Sequence, residues 1–329
     1  MKLATKMSTK TENFTTKYEK FRGVDMNADP KKIDNSRSSY ATNIVINNGG
    51  FPEKRLGYRE LVAVESPING FYHAKLMDGT FFLIHGGTKL YQWDGLNAPV
   101  VIKSAIANKK STGFVMNNKF WFLSGSEYYM FTGSGFFTVT NIAHIPTTLA
   151  GAKPDGAFAY PDKKPSLPKI CRSPNMLRPE RINSFIGDGS SKMYHLDATE
   201  LDSDVLAVYV DGVRIFENEG FIVNRVKGIV TFSTAPPIPL DNGVATNKDN
   251  VRIEFSKTVL GSAEKIKKCT IATCYGIGTN DRIFFSGNPD FGATDWHSEL
   301  TDPSYIPELY ETQVGSDSSS IMGYSTVGE

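Results

Sequence analysis

Cysteine is scarce and unpaired in this sequence. Cys171, Cys269 and Cys274 are the three cysteines in 329 residues, an odd count without CxxC spacing. That excludes a disulfide framework and a structural zinc site, and leaves inert, partly buried thiols as the expectation. Charge of one sign is missing too: the formal net charge is +1, so no global field draws the chain toward nucleic acid or an acidic membrane. No run approaches the about 18–20 uninterrupted apolar residues that span a bilayer. Residues 1–20 are rich in Lys and Thr and lack the apolar centre of a signal peptide, so synthesis in the cytoplasm is expected.

Catalytic templates are also lacking. There is no GxSxG elbow, no HExxH, no Walker loop and no dinucleotide fingerprint. Gly187-Asp188-Gly189-Ser190-Ser191 comes nearest to a phosphate cradle, but it leads into a strand and has no helix N-terminus behind it. The five histidines, His73, His85, His144, His195 and His297, show no metal-ligand spacing, and His73 and His85 are expected as packed rings in strands. Asp197, Glu200, Asp202 and Asp204 are the densest acidic cluster; solvated loop chemistry is its default, with a weak calcium site as the sharper reading. No cofactor and no metal are expected, and the chain is not expected to be an enzyme.

What the sequence does hold is aromatic residues and glycine: 12% aromatic, with 21 Phe, 14 Tyr and 29 Gly, a mixture suited to strands and tight turns. Phe82 to Gly95 returns as Phe120 to Gly133, an offset of 38 residues with aromatics and the closing glycine in register. A looser third copy covers residues 280–288. A period near 40 residues with strands on both sides of each turn predicts propeller blades. Strands are expected over Leu61–Val64, Gly70–Leu76, Phe81–Ile84, Leu90–Trp93, Phe114–Met116, Phe120–Leu123, Tyr128–Phe131 and Phe136–Val139. Ala41–Ile46 reads as a short helix or a strand.

The organisation follows from texture. Residues 1–20 form a flexible arm bearing Lys2, Lys6, Lys10, Lys17 and Lys20; residues 21–145 are the first propeller part. Residues 146–180 carry prolines at 146, 154, 161, 165, 168, 174 and 179 and are expected as an extended connector. Residues 181–258, with short alternating strands around an Asp211-Gly212 turn, predict an inserted immunoglobulin-like β-sandwich. Residues 259–329 resume the propeller. Three copies do not close a ring that usually needs at least four blades; a truncated or split gene product, or completion by a partner chain, is expected. The fold class is therefore all-β: β-propeller-like blades with a small inserted sandwich.

Phe21-Arg22-Gly23-Val24-Asp25, then Asp29-Pro30, Arg37-Ser38 and Asn43, then Gly50-Phe51-Pro52-Glu53-Lys54-Arg55-Leu56-Gly57-Tyr58, resemble the opening of a family of tailed-bacteriophage virion proteins. Leu90 to Gly95 fits the end of a first blade in the same picture. Residues 184–258, with Val208-Tyr209-Val210-Asp211-Gly212-Val213 and Gly228 to Pro237, look like the small sandwich modules of phage tail and fibre proteins. The resemblance implies a virion structural component similar to the propeller-bearing nozzle or stabilisation proteins of phage tails, which assemble as rings at the end of the DNA conduit. It implies as partners other copies of the chain, portal, adaptor or other tail proteins, and DNA in the channel, with no membrane span. The location implied is the virion tail.

Three functional readings remain in play. For a structural subunit, the polar and basic turns ahead of the β scaffold make Arg22, Asp25, Lys54, Arg55 and Tyr58 the expected docking positions. The alternative is a receptor- or glycan-binding tail module, in which Trp93, Trp121 and Trp296 would stack on sugar rings, against the plainer expectation that they pack between blades. A carbohydrate-active propeller enzyme is the third, and the Ser-x-Asp-x-Gly-x-Thr-Trp boxes of sialidase propellers are missing.

Overall fold

The computed structural model describes residues 15, 17, 20–157, 171–203, 206–276, 281–316 and 318–325. Among these the chain is all-β, with 24 strands and two short helices. It divides into two compact units, Met1–Ala63 and Val64–Glu329.

In the first unit, β1 (Ile44–Ile46) and β2 (Pro52–Lys54) form an antiparallel hairpin, so of Ala41–Ile46 the last three residues are strand and no helix forms. Asn47 organises its turn: Oδ1 accepts the amides of Gly49 and Phe51, each at 3.0 Å. The amide of Phe21 donates to Gly50 O, and Val24 bridges Ser38, which folds residues 21–38 into a loop. Residues 51–61 are exposed throughout.

The second unit contains three four-stranded antiparallel sheets, each a meander. Sheet one is β3 (Ile68–Leu76), β4 (Gly79–Gly86), β5 (Lys89–Trp93) and β6 (Val100–Lys103). Sheet two is β7 (Thr112–Met116), β8 (Lys119–Leu123), β9 (Tyr128–Phe131) and β10 (Phe136–Thr138), followed by the single-turn helix α1 (Val139–Ile142). The 38-residue repeat survives as register: Phe82 pairs with Trp93 and Ile84 with Tyr91, as Phe120 pairs with Phe131 and Phe122 with Tyr129. Asn117 and Asn118, both at positive φ, form the two-residue turn that the right-handed twist of a hairpin favours.

Sheet two is buried on both faces. Pleating sends alternate residues to opposite sides. Phe120, Phe122, Tyr129 and Phe131 pack with Ala74, Leu76, Leu83 and Leu90 of sheet one. Trp121, Leu123, Tyr128 and Met130 join a second core with Ile283, Phe285 and Trp296. A strand apolar at every position, as Phe120-Trp121-Phe122-Leu123 is, suits only a sheet covered twice. Each such side chain removed from water contributes about 1.5–3 kcal/mol.

Between the second and third meanders lies a two-sheet sandwich. Its strands are β11 (Thr147–Ala152), β12 (Glu180–Phe185), β13 (Met193–His195), β14 (Leu206–Val210), β15 (Val213–Ile215), β16 (Phe221–Asn224), β17 (Ile229–Phe232), the small hairpin β18 (Leu240–Asp241) and β19 (Val244–Ala245), and β20 (Val251–Ser256). One sheet runs β11-β12-β20-β14-β15, the other β13-β17-β16. They enclose Phe185, Tyr194, Val208, Phe221, Val230, Phe232, Val251, Ile253 and Phe255.

Helix α2 (Ser262–Lys267) follows, burying Ile266 and pairing Lys267 with Glu127 at 2.9 Å. Sheet three is β21 (Ile271–Tyr275), β22 (Arg282–Ser286), β23 (Thr294–His297) and β24 (Glu311–Gln313). β7 runs against both β3 and β21, so the first strands of the three sheets lie together.

Two expectations need correction. Residues 146–180 are not all connector: Thr147–Ala152, a proline-free run between Pro146 and Pro154, pairs parallel with β12 as an edge strand of the sandwich. Residues 158–170, with Pro161, Pro165 and Pro168, lie outside the described residues. Leu61–Val64 pairs with no strand among the described residues, and Leu61 and Ala63 face solvent; an apolar run without a free ladder to join remains coil.

Candidate interaction surfaces

The five expected docking residues all fall in the first unit. Arg22 is exposed, with its amide donating to Ser36 O at 2.7 Å. Asp25 turns inward on its own loop: Oδ1 accepts the amides of Asn27 (3.1 Å) and Ala28 (3.3 Å), and Oδ2 lies 3.6 Å from Arg37 Nη1. Its carboxylate shapes the loop that presents Arg22. Lys54 closes β2 opposite Ile44, and the Arg55 amide donates to Asn43 O at 2.7 Å, leaving both cationic side chains in solvent. Tyr58 is 92% exposed, close to Leu56 at 89%. The structure therefore sets Lys54, Arg55 and Tyr58 on one open strip and Arg22 on an adjoining loop.

A second class of surface lies on the two outer sheets. On sheet one, away from sheet two, Phe82 stacks with Phe71 (6.1 Å) and His73 (5.2 Å) and meets Trp93 at a tilt (5.9 Å). On sheet three, away from the core shared with sheet two, Phe284 meets Tyr275 (6.3 Å), His297 (5.2 Å) and Tyr324 (6.4 Å), while Tyr310 lies 4.3 Å from His297. The Arg282 guanidinium stands 5.5 Å from the Tyr310 ring. The repeat held the signal: Phe82 and Trp93 occupy the positions of Phe120 and Phe131, which in sheet two are buried against a neighbouring sheet.

The sites considered for chemistry are otherwise engaged. Trp121 and Trp296 are buried and offer no ring face to a sugar; Trp93 is half-buried, donating Nε1–H to Asn97 O at 2.8 Å. In the Gly187–Ser191 turn, Asp188 itself accepts the amides of Ser190 (2.9 Å) and Ser191 (2.6 Å), so a carboxylate fills the place a phosphate would take. Burial alone would raise that carboxyl, but the hydrogen bonds from Ser191 and Ser190 hold it at about 2. Asp202 Oδ2 accepts from the amide and hydroxyl of Thr258, each at 2.8 Å, and Asp204 lies outside the described residues. No group of three His, Cys, Asp or Glu converges among the described residues. His85 is buried against Phe122, with Nδ1 2.8 Å from Ser111 Oγ, whereas His73 sits on the open aromatic face. Cys269 is buried, donates to Lys265 O, and burial pushes its thiol pKa up.

No protein-family model matches the chain, and no similar protein was found among curated sequences or solved structures. No helix among the described residues is long and apolar enough to cross a membrane.

Proposed function

We propose that the chain is a non-enzymatic structural subunit of a tailed-phage virion, in the tail or the head–tail DNA channel. Fold alone assigns no role; the opening segment from Phe21 to Tyr58 supplies the assignment by its resemblance to such proteins. The observation that carries the architecture is the doubly buried second sheet. Its register repeats that of sheet one, its outer neighbours carry aromatic clusters on the faces turned away from it, and the first strands of all three sheets gather together. On this reading the sheets are three consecutive propeller blades, and the sandwich is an immunoglobulin-like module inserted between the second and third.

An arc of three blades calls for further blades, and copies of the chain arranged in a ring are the partners this reading assigns. Arg22, Lys54, Arg55 and Tyr58 dock on neighbouring virion proteins such as a portal or adaptor, with Asp25 holding the loop in shape. DNA in the channel is a further contact of the basic strip. The receptor- or glycan-binding alternative keeps only Trp93 of its three tryptophans at the surface.

The double substitution Lys54→Ala/Arg55→Ala tests the docking assignment. Because both side chains are exposed, folding should be unaffected while assembly, followed by native mass and particle images, is lost. Intact assembly of the double variant would show that these residues do not dock.

A further inference from the structure

Arg181 is 8% exposed, yet among the described residues its guanidinium has no hydrogen-bond or ion-pair partner, and Nε is enclosed. The Phe255 ring lies against it, 6.0 Å from Cζ. The anomaly begins in the strand. In β12 the inward phase falls on Arg181, Asn183 and Phe185. Asn183 is satisfied, donating to Thr148 Oγ1 at 3.0 Å and accepting the Asp197 amide at 3.0 Å. Arg181 is not, and a buried cation without a counter-charge is costly to keep.

Arg181 lines a cleft of about 440 Å³, within the size range of small-ligand sites. Lys257 shares that lining; among the described residues no carboxylate lies within 4.0 Å of it, and its Nζ donates to Glu200 O. Among the described residues, the nearby acids are committed or turned elsewhere, and Asp204 lies outside them. Glu180 pairs with Arg178 at 2.9 Å, Asp202 is held by Thr258, and Glu264 leans toward Lys267 at 3.9 Å. Glu308 borders the cleft and is exposed. The rest of the lining is largely apolar: Met176 and Leu177 are buried, while Val259 and Leu260 stand open at 50% and 94% exposure.

We propose that this cleft binds a carboxylate carried on an apolar stem. The planar guanidinium fork of Arg181 matches a carboxylate in two-pronged geometry. Phe255 backs the cation, Lys257 adds a second positive charge, and the stem covers Val259 and Leu260. A bare oxyanion would supply the charge and leave that apolar surface wet. The inference is independent of the virion reading, since it rests on the Arg181 surroundings alone.

The test titrates the full chain with N-acetyl-leucine, its carboxamide, inorganic phosphate, and a short peptide ending in a free leucine carboxylate. Binding is read by calorimetry and by the Arg181 Nε–H resonance. N-acetyl-leucine should bind and move that resonance, with the carboxamide at least tenfold weaker. Arg181→Met, which keeps the stem over Phe255, should weaken the acid at least tenfold. The resonance in the unsubstituted chain decides the matter should the variant fold poorly. Tighter binding of the peptide than of the free acid would support the site with a chain terminus as its source; the reverse order would support it with a small acid. Equal binding of acid and amide, phosphate as tight as the acid, an unmoved resonance, or an unchanged affinity in Arg181→Met would each overturn the proposal.

Discussion

Phe120 and Trp121 are adjacent in the chain and buried in different cores. The Phe120 ring lies 5.3 Å from Tyr72 of sheet one, whereas Trp121 lies 5.8 Å from Tyr128 in the core that holds Phe285 and Trp296. The plane of β8 separates them. One strand therefore ties three sheets into a continuous apolar stack.

That separation predicts additivity where sequence adjacency argues against it. Phe120→Leu and Trp121→Phe should each cost about 1–2 kcal/mol. Their combined cost should equal the sum within about 0.5 kcal/mol, as for independent sites. A urea-denaturation double-mutant cycle measures the coupling.

Asn175 is a second joint. Its Nδ2 donates to His144 O (2.9 Å) and Ser304 O (2.8 Å), and its Oδ1 accepts the amides of Leu177 (3.2 Å) and Ile306 (3.1 Å). Asn175→Asp keeps the shape and loses both donations, setting a carboxylate against two carbonyls in a buried site. A loss of about 3 kcal/mol or more is expected, larger at neutral than at acidic pH because protonation restores a donor. Chemical denaturation of the variant at pH 4 and pH 7 checks both size and sign.

His85 makes stability pH-dependent. Burial lowers its pKa below the ordinary 6.5, so between that value and the folded-state pKa the unfolded chain binds more protons. Folding stability should therefore fall as pH drops through about 6.5 and flatten below the folded pKa. Ser111 Oγ sits 2.7 Å from Tyr72 OH and 2.8 Å from His85 Nδ1, and burial raises Tyr72 to about 12, so Tyr72 contributes no titration in this range. In His85→Gln this part of the pH dependence should vanish, as measured by urea midpoints between pH 5 and 8.

Gly228 precedes β17 at φ +64°, and a Cβ there would stand 1.9 Å from Ala198 O. Gly228→Ala should cost about 3 kcal/mol or more, through backbone strain and a clash with main chain that cannot yield. Amide exchange should show the loss concentrated in β13, β16 and β17.

Much of this was legible in the sequence. The repeat located β4–β5 and β8–β9 because aromatic pairs recur with the turn between them, and Asp211-Gly212, with both residues at positive φ, marked the β14–β15 hairpin. What escaped were strands whose residues carry no pattern. Glu311–Gln313 is polar and exposed, and joins the sheet only because β23 offers a free edge. Thr147–Ala152 was hidden by the prolines around it. Arg181 was legible in principle, as a cation on the inward phase of β12, but that phase is fixed only by pairing with β20. The outward aromatic clusters were equally hidden: composition gives the rings, and only the stack of sheets shows which face they share.

The central claim is that the three sheets belong to a ring-forming virion subunit. Native mass spectrometry of the purified full chain, with electron microscopy of the same sample, tests it most directly. A closed ring of several copies is the predicted result. A single-copy mass at every concentration, with no ring in the images, would contradict it.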